Sequence, residues 1–324
     1  MVIWGGYGPG FEPKADGAIY NPATDHWQLT SVSPLKPRFG LSAVWTGSNL
    51  IVWGGMTKSG KGFVTLGDGA SYDPSTNRWE LLPPAPLIPR TGHTAVWTGN
   101  SMMIWGGQAR FDSGVLADGA EYIPSQRRWR RLPDSPLLPR ASHSAVWTGA
   151  EVVIWGGLRS SNEHASDGAR YDPIDRSWKR LAESSLSGRA GHIGLWTGHE
   201  VFIWGGRGSN PKVTDAADGA LYDPARDSWS SLPPIRTFVD GTRFPSGVVG
   251  GAYVLVFAEG ATGKTPGLDA AVAAYHLESK TWHLLDAPAG VPRVESTAVW
   301  ADGRAIIWGD PTDAKAAVGF SLRF

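Results

Sequence analysis

The chain has 324 residues, of which 42 are glycine, 24 proline and 17 tryptophan, a composition that favours short strands and tight turns over long helices. Lysine plus arginine and aspartate plus glutamate each total 30, so no net charge attracts the chain to nucleic acid or an anionic membrane. The lack of cysteine excludes disulfides, thiolate metal sites and cysteine nucleophiles. No apolar run approaches the roughly 20 residues of a membrane span.

Four strand signals, which we call A to D, recur along the chain about every fifty residues. In the third copy, strand A reads His93–Trp97, strand B is Met102–Trp105 followed by two glycines, strand C is Gly119–Tyr122, and strand D begins at Trp129. Tight glycine turns join A to B, and Asp-Pro turns join C to D. Each copy is therefore predicted to be a four-stranded antiparallel meander.

The copies predict one all-β propeller domain over residues 1–324. Its repeat units are predicted at 1–37, 38–89, 90–139, 140–188, 189–242, 243–292 and 293–324. Seven strand-B and seven strand-C signals predict seven blades, with six as the alternative. Because the chain begins at a strand B and ends at a strand C near Phe320, we expect either incomplete first and last blades or a truncated start.

The repeated Ala-Val-Trp-Thr-Gly and Trp-Gly-Gly motifs resemble the kelch family in its bacterial form, over essentially the whole chain. The Trp-Gly-Gly block stands at Trp4, Trp53, Trp105, Trp155 and Trp204, with weaker copies at Phe257 and Trp308. The resemblance implies a kelch-type β-propeller, a fold that carries enzymes, adaptors and surface proteins alike. Every tryptophan falls on a repeat position, so we predict that these rings pack blade against blade.

Three further sets of residues repeat with the strands. An arginine precedes strand A at Arg38, Arg90, Arg140, Arg189, Arg243 and Arg293. A histidine follows three residues later at His93, His143 and His192. An aspartate precedes strand C at Asp16, Asp68, Asp118, Asp167, Asp218 and Asp269. Because each set follows the repeat, we predict structural hydrogen bonding for the arginines and histidines. Each aspartate is predicted either to cap the turn after the B-to-C loop or to pair with the arginine of its own or an adjacent blade. Neither a metal cluster nor a catalytic carboxylate pair is predicted.

The segment from Ala258 to Thr265 approaches a Walker A loop. Its first required glycine is Ala258, and a strand follows where a helix would have to bind phosphate. It is therefore interpreted as a flexible B-to-C loop. No catalytic residue, metal site or cofactor is predicted.

The loops that do not follow the repeat carry the candidate binding site. B-to-C and D-to-A loops share one propeller face, where unrepeated aromatic residues and an excess of basic residues gather. Phe39, Phe238 and Phe244 stand at the D-to-A connections of this face. The site residues are predicted to be Tyr7, Phe11, Lys58, Phe63, Arg110, Phe111, Arg159, Arg207, Lys212 and Lys264. Such a face suits a protein or glycan ligand, for example an acidic one. Solvated loop charge is the competing interpretation.

These observations predict a non-catalytic binding scaffold for a protein or carbohydrate, similar to the kelch substrate adaptors. The alternative is a carbohydrate-active enzyme that resembles the kelch-fold sialic-acid mutarotases, for which Arg189, His192 and Glu163 are the candidate groups. The related copper oxidases are excluded by the missing cysteine. A surface or assembly protein is a third possibility. The divergent repeat from Arg243 to Trp282 is a further place to look for function.

The start of the chain contains no basic, apolar and cleavable segment after Met1, so no targeting signal is predicted within it. A secreted or periplasmic location is expected only if the start is truncated. No partner nucleic acid and no membrane insertion are predicted.

Overall fold

The computed structural model describes residues 1–110, 113–160, 163–208, 218–235, 245–259, 270–285, 294–310 and 318–323. Short strands dominate this part of the chain. Its helices are two single 3₁₀ turns, Pro9–Phe11 and Pro124–Gln126. Among these residues no helix has the length and apolarity needed to cross a membrane.

The main strands form seven sheets, which we number in chain order. Sheets 2 to 6 have the order A-B-C-D, sheet 1 has B-C-D and sheet 7 has A-B-C. Strands A are Ser42–Trp45, Thr94–Trp97, Ser144–Trp147, Ile193–Trp196, Ser246–Gly250 and Val294–Ala301. Strands B are Val2–Trp4, Leu50–Trp53, Met102–Trp105, Val152–Trp155, Val201–Trp204, Tyr253–Glu259 and Arg304–Asp310. Strands C are Gly17–Asn21, Gly69–Asp73, Gly119–Ile123, Gly168–Asp172, Gly219–Asp223, Ala270–His276 and Val318–Arg323. Strands D are His26–Leu29, Arg78–Leu81, Arg128–Arg131, Ser177–Arg180, Ser228–Ser231 and Thr281–Leu285.

The predicted all-β, kelch-type propeller arrangement is confirmed, and so are the incomplete first and last sheets. The described residues contain six strands A and six strands D, which agrees with the six-bladed alternative and not with the predicted count of seven blades. The additional strand B and strand C come from the two three-stranded terminal sheets.

Short β-ribbons extend the loops between strands B and C. Their strands are Tyr7–Gly8 with Glu12–Pro13, Met56–Ser59 with Gly62–Thr65, and Gln108–Arg110 with Ser113–Val115. Further short strands are Leu158–Ser160, Glu163–His164, and Arg189–Ala190 with Arg207–Gly208. Several candidate site residues are therefore carried on hydrogen-bonded ribbons, which hold a side chain more firmly than a flexible loop would.

Contacts divide the chain into two compact units. The first comprises Met1–Ile154, Leu158–Asn162 and Ala169–Arg180, and the second comprises Trp155–Gly157, Glu163–Gly168 and Leu181–Phe324. In the first unit, residues of sheets 2 and 3 such as Ile51, Trp53 and Ile104 form one buried cluster. In the second, sheets 5 and 6 share another cluster around Phe202 and Val254. The single-domain assignment and the repeat boundaries stay predictions.

The tryptophans pack as the repeat predicts. A strand-B ring lies against the strand-D ring of the following repeat, with centroids 5.3 to 6.0 Å apart in the pairs Trp4–Trp79, Trp53–Trp129, Trp105–Trp178, Trp155–Trp229 and Trp204–Trp282. Burying two large rings per repeat supplies much of the apolar area between strands of successive repeats. The predicted blade-packing role of the tryptophans is confirmed for these pairs.

The strand-D tryptophans also donate a hydrogen bond to the segment after the previous strand D. The acceptor is always the carbonyl of the residue four positions after the previous strand-D tryptophan, which we call the joint residue. The bonds, from indole Nε1 to carbonyl oxygen, are Trp79 to Ser31 (3.1 Å), Trp129 to Pro83 (2.9 Å), Trp178 to Pro133 (3.1 Å), Trp229 to Ala182 (3.0 Å) and Trp282 to Pro233 (2.9 Å).

Candidate functional site

Four of the repeated arginines, Arg38, Arg90, Arg140 and Arg189, are fully buried. Arg38 is 0% exposed, donates through both terminal nitrogens to the Asp68 carboxylate at 2.8 and 3.1 Å, and also donates to the Gly54 carbonyl. Equivalent ion pairs join Arg90 to Asp118 at 2.9 Å and Arg189 to Asp218 at 2.7 Å. Each pair links the start of strand A to the start of strand C in one sheet. The predicted Arg–Asp pairing is confirmed for these three repeats.

Two members of these pairs, Asp68 and Arg90, have shifted pKa values. Partial burial alone would raise the pKa of Asp68, but the hydrogen bonds and charge of Arg38 outweigh it and hold the pKa below its usual value. Burial lowers the pKa of Arg90, an effect that Asp118 partly offsets. Arginine remains protonated in proteins all the same. The pairs are charged, and their arginines are fully buried, whereas the side chains of Asp68, Asp118 and Asp218 are 41 to 62% exposed.

The repeated histidines are also structural groups. Nε2 of His93 lies 2.8 Å from Oγ of Ser42, and Nε2 of His143 lies 2.7 Å from Oγ1 of Thr94. The His93 ring meets Trp53 edge-on at 5.2 Å. Burial, with a smaller contribution from the neighbouring arginine, lowers the pKa of His93 to about 3, and His192 shifts equally. Both rings are neutral near pH 7, and no cluster of potential metal ligands is found among the residues that the structure describes.

The groups predicted for a mutarotase-like site are affected by this packing. Arg189 is buried and donates to the carbonyls of Gly205 and Asp218 as well as pairing with the Asp218 carboxylate. His192 is buried against Trp155. Glu163 lies exposed on a ribbon strand. A sugar carboxylate would have to displace internal hydrogen bonds to reach Arg189, so this residue is a poor anion site.

An aromatic row crosses the ribbons of sheets 1 and 2. Tyr7 lies 5.1 Å from Phe11 and 5.5 Å from Phe39, and Phe39 lies 5.2 Å from Phe63, measured between ring centroids. Phe39 is buried, whereas Tyr7, Phe11 and Phe63 are exposed. The buried Phe39 ring contacts two of the exposed rings, Tyr7 and Phe63, and Tyr7 in turn contacts Phe11. The structure therefore brings together three of the predicted site residues, from two different repeats.

A groove opens beside Phe63, between the ribbons of sheets 2 and 3. It has a volume of about 460 Å³, within the usual size range of ligand pockets. Its lining consists of Phe63, Val64, Thr65, Ile88, Pro89, Ala109 and Arg110. Val64 is 46% and Ile88 51% exposed. Thr65 Oγ1 donates to the Ala109 carbonyl at 2.8 Å and so joins the two ribbons.

Arg110 supplies the positive charge of this groove. It is exposed at the end of the ribbon strand Gln108–Arg110, and its guanidinium forms no ion pair or hydrogen bond with the part of the chain that the structure describes. Arg90, in the same repeat, is by contrast fully buried and ion-paired with Asp118. The five N–H donors of Arg110 are open to a ligand.

Family comparison agrees with the repeat structure. The model of the KLHDC2/KLHL20/DRC7 Kelch-repeats domain matches residues 1–206 and 92–310. The chain belongs to the kelch-repeat family. The solved structure of YjhT is similar to this kelch propeller, with a TM-score of 0.63 and 18% sequence identity over 83% of this chain and 90% of that chain. At this identity the likeness supports the fold alone.

The other predicted basic residues that the structure describes, Lys58, Arg159 and Arg207, do not line the groove. Lys58 forms an ion pair with Glu12 of the neighbouring ribbon, and Arg159 is half-buried. Arg207 is exposed in the second unit, where its charge adds to burial in lowering the pKa of His164.

Some predicted positions fall outside the described residues. These are Phe111, Lys212 and Lys264 of the site, the Walker-like residues after Glu259, and Phe238, Arg243, Phe244, Asp269 and Arg293. The described part of the divergent repeat shows a long strand B, Tyr253–Glu259, in which Val254 to Phe257 are buried.

Sequence reasoning missed the aliphatic part of the groove. Val64 and Ile88 were not among the predicted residues because only aromatic and basic side chains were considered. One signal was present: Ile88-Pro89-Arg90 and Leu138-Pro139-Arg140 repeat an apolar residue before Pro-Arg, and both apolar side chains are exposed.

Proposed function

We propose that this kelch propeller is a non-catalytic binding scaffold that presents its loop ribbons to a protein or carbohydrate ligand. The observation that carries the proposal is the groove between the ribbons of sheets 2 and 3, with its exposed apolar walls and its unpaired Arg110. Exposed apolar surface beside an open cation is typical of an interaction site. Kelch propellers as a class bind proteins.

The division between buried and exposed charges supports the same function. The four described arginines of the repeat and the three histidines are buried, and Arg38 and His93, for example, are held by hydrogen bonds. These residues are therefore unsuited to proton transfer on a substrate. The exposed Arg110, by contrast, does not stand at one of the positions where arginine recurs from repeat to repeat. Among the described residues, a ligand would contact apolar side chains and one cation and would meet no pair of side chains arranged for acid–base catalysis.

Peptide and glycan arrays probed with the purified chain test the proposal. We expect at least one ligand class to bind, and Arg110→Glu and Phe63→Ala to weaken that binding by roughly tenfold or more. The first variant removes a charge-assisted contact, and the second removes an exposed ring that the bound ligand would bury. Arg78→Glu is the matched control, since Arg78 is exposed on a strand D and does not line the groove.

Unchanged affinity in both groove variants would reject the proposed site. Anomerisation of sialic acid by the protein, followed by NMR, would instead favour the mutarotase alternative. Far-ultraviolet circular dichroism of each variant checks that the fold is intact.

A further inference from the structure

The groove between the ribbons of sheets 2 and 3 has an uneven chemistry. Its walls are apolar side chains of Phe63, Val64, Ile88, Pro89 and Ala109. Of its two polar side chains, Thr65 donates its hydroxyl proton to the Ala109 carbonyl. Arg110 alone is left as a charged donor with no partner in the described structure. The lining includes no carboxylate and no side-chain amide.

We infer that the groove binds a peptide segment that places one bulky apolar side chain next to a single carboxylate. This inference rests on the proposed binding function and names the ligand class of the same site. The apolar side chain lies against Phe63, Val64 and Ile88, and the carboxylate accepts from the Arg110 guanidinium. The planar fork of arginine matches a carboxylate through two parallel hydrogen bonds.

The chemistry of the lining argues against a glycan in this groove. A sugar ring presents several hydroxyl groups, each of which needs a hydrogen-bond partner when it leaves water. The groove offers one free polar side chain, and aliphatic walls give hydroxyl groups nothing to bond. Burial of an isoleucine-sized or leucine-sized side chain, by contrast, gains from all five apolar residues of the lining.

The charge count argues against a strongly acidic peptide. Among the described residues that line the groove, Arg110 is the one charged side chain, and Lys58, on the same ribbon as Phe63, is paired with Glu12. A second or third carboxylate would lose hydration without gaining a partner. One acid with one bulky apolar neighbour is therefore the matching pattern.

Fluorescence anisotropy with short labelled peptides tests the inference on the full chain. The first probe is a glycine- and serine-flanked hexapeptide with one leucine followed by one aspartate. Three comparison peptides replace the leucine by alanine, the aspartate by asparagine, or the pair by three aspartates. We expect the first probe to bind best, each single replacement to weaken binding roughly tenfold, and the three-aspartate peptide to bind no better than the weakened ones.

Two protein variants complete the design. Arg110→Gln should abolish the preference for aspartate over asparagine while keeping the preference for leucine over alanine. Val64→Thr keeps the side-chain shape and should reduce only the preference for leucine. Arg78→Gln, outside the groove, should change neither preference.

Several results would overturn the inference. They are no binding of the leucine–aspartate peptide at millimolar concentration, equal or better binding of the three-aspartate peptide, and Arg110-dependent binding of an oligosaccharide such as sialyllactose. Oligosaccharide binding would leave the proposed scaffold function standing and would remove only the peptide assignment. The scaffold function fails separately if neither array shows a ligand sensitive to Phe63→Ala and Arg110→Glu.

Discussion

Two joints of the first unit hold successive repeats together by different chemistry. At the first joint, Asn77 Oδ1 accepts from the backbone N–H of the joint residue Ser31 at 2.7 Å and from the Tyr72 hydroxyl at 2.7 Å. At the next joint the corresponding residue is Pro83, which has no N–H. There the residue equivalent to Asn77 is Arg127, which pairs with Glu80 instead.

The same correspondence extends along the chain. The residues equivalent to Asn77 all have positive φ, between 49° and 55° in these repeats. Ala182, which has an N–H, is matched by Asp227, whose Oδ1 accepts from it at 3.0 Å. The joint prolines Pro83, Pro133 and Pro233 are followed in the next repeat by Arg127, Arg176 and Lys280. Where the joint residue has a backbone N–H, the residue equivalent to Asn77 is therefore a hydrogen-bond acceptor. Where the joint residue is proline, which lacks an N–H, that residue is an arginine or a lysine.

A second matched pair is found at the strand-A end of the repeat. His93 and His143 contact hydroxyl groups of Ser42 and Thr94, the first strand-A residues of the preceding sheets. Sheet 1 has no strand A, and Leu41 of sheet 2 stands at the histidine position. The joint residues and the strand-A histidines both indicate that some residues of one repeat match the residue that they contact in the previous repeat, in addition to following the shared repeat pattern.

The histidine pairs should give the largest effect, through pH. The folded pKa of His93, about 3, lies below the unfolded value of about 6.5, so the neutral ring contributes its full stability above pH 6.5 and loses it as pH falls toward 3. The loss reaches roughly 3 kcal/mol at pH 4. His93→Gln, which keeps a polar group near Ser42, should make the stability profile measured by urea unfolding between pH 7 and 4 shallower by the His93 contribution, while the contribution of His192 remains. A profile as steep as in the parent would contradict this assignment.

Asn77→Ala should come next. It leaves the Ser31 N–H and the Tyr72 hydroxyl without their acceptor, and it places alanine at a positive φ of 53° that asparagine tolerates better. We expect the free energy of unfolding to fall by about 2 kcal/mol. Asn77→Asp, which keeps the acceptor as in Asp227, is the control and should cost much less. Equal losses in the two variants would show that the acceptor is not what matters.

A double-mutant cycle can convert one joint into the other kind. Pro83→Ala supplies the missing N–H, and Arg127→Asn supplies an acceptor with a suitable backbone preference. We expect the two changes to be coupled favourably by about 1 kcal/mol, the net worth of a typical hydrogen bond. The measurement is chemical unfolding of the parent, the two single variants and the double variant. Additive effects would mean that the match between neighbours is coincidental.

Arg127→Ala should give the smallest effect. Arg127 and Glu80 are 56% and 66% exposed at their side chains, and exposed ion pairs contribute little. We expect a change of at most about 0.5 kcal/mol, abolished in high salt. A loss as large as that of Asn77→Ala would remove the distinction between the two joints.

The sequence was sufficient to predict whatever repeats. The strand order, the packing of tryptophan rings between repeats and the Asp-Pro turns follow from residue types at fixed spacing, whereas the particular partners, such as Trp53 with Trp129 and Arg38 with Asp68, come from the structure. Asp73 Oδ1, for example, accepts from the Ser75 N–H at 2.8 Å as such a turn requires. Each of these depends on local geometry that every copy shares, so one copy explains the others.

The candidate site was predictable only in part, because its geometry depends on contacts between unrelated loops. Tyr7, Phe11, Phe63 and Arg110 were found by composition. The pairing of Lys58 with Glu12, 46 residues away, was not visible in the sequence, and it removes Lys58 from the open charges. Val64 and Ile88 form one wall of the groove only because the ribbons of sheets 2 and 3 pack beside the segment that contains Ile88 and Pro89.

The joint residue has a consequence for the modularity of the chain. Its carbonyl and its N–H, or the proline that replaces the N–H, lie in one repeat, while the tryptophan and the polar residue that answer them lie in the next. The residues that have to match one another therefore lie on both sides of the repeat boundary. A repeat that is duplicated, deleted or grafted alone contains only one partner of the contacts that it makes with each neighbouring repeat. A grafted repeat that keeps these contacts has to be accompanied by the matching residues in both neighbours.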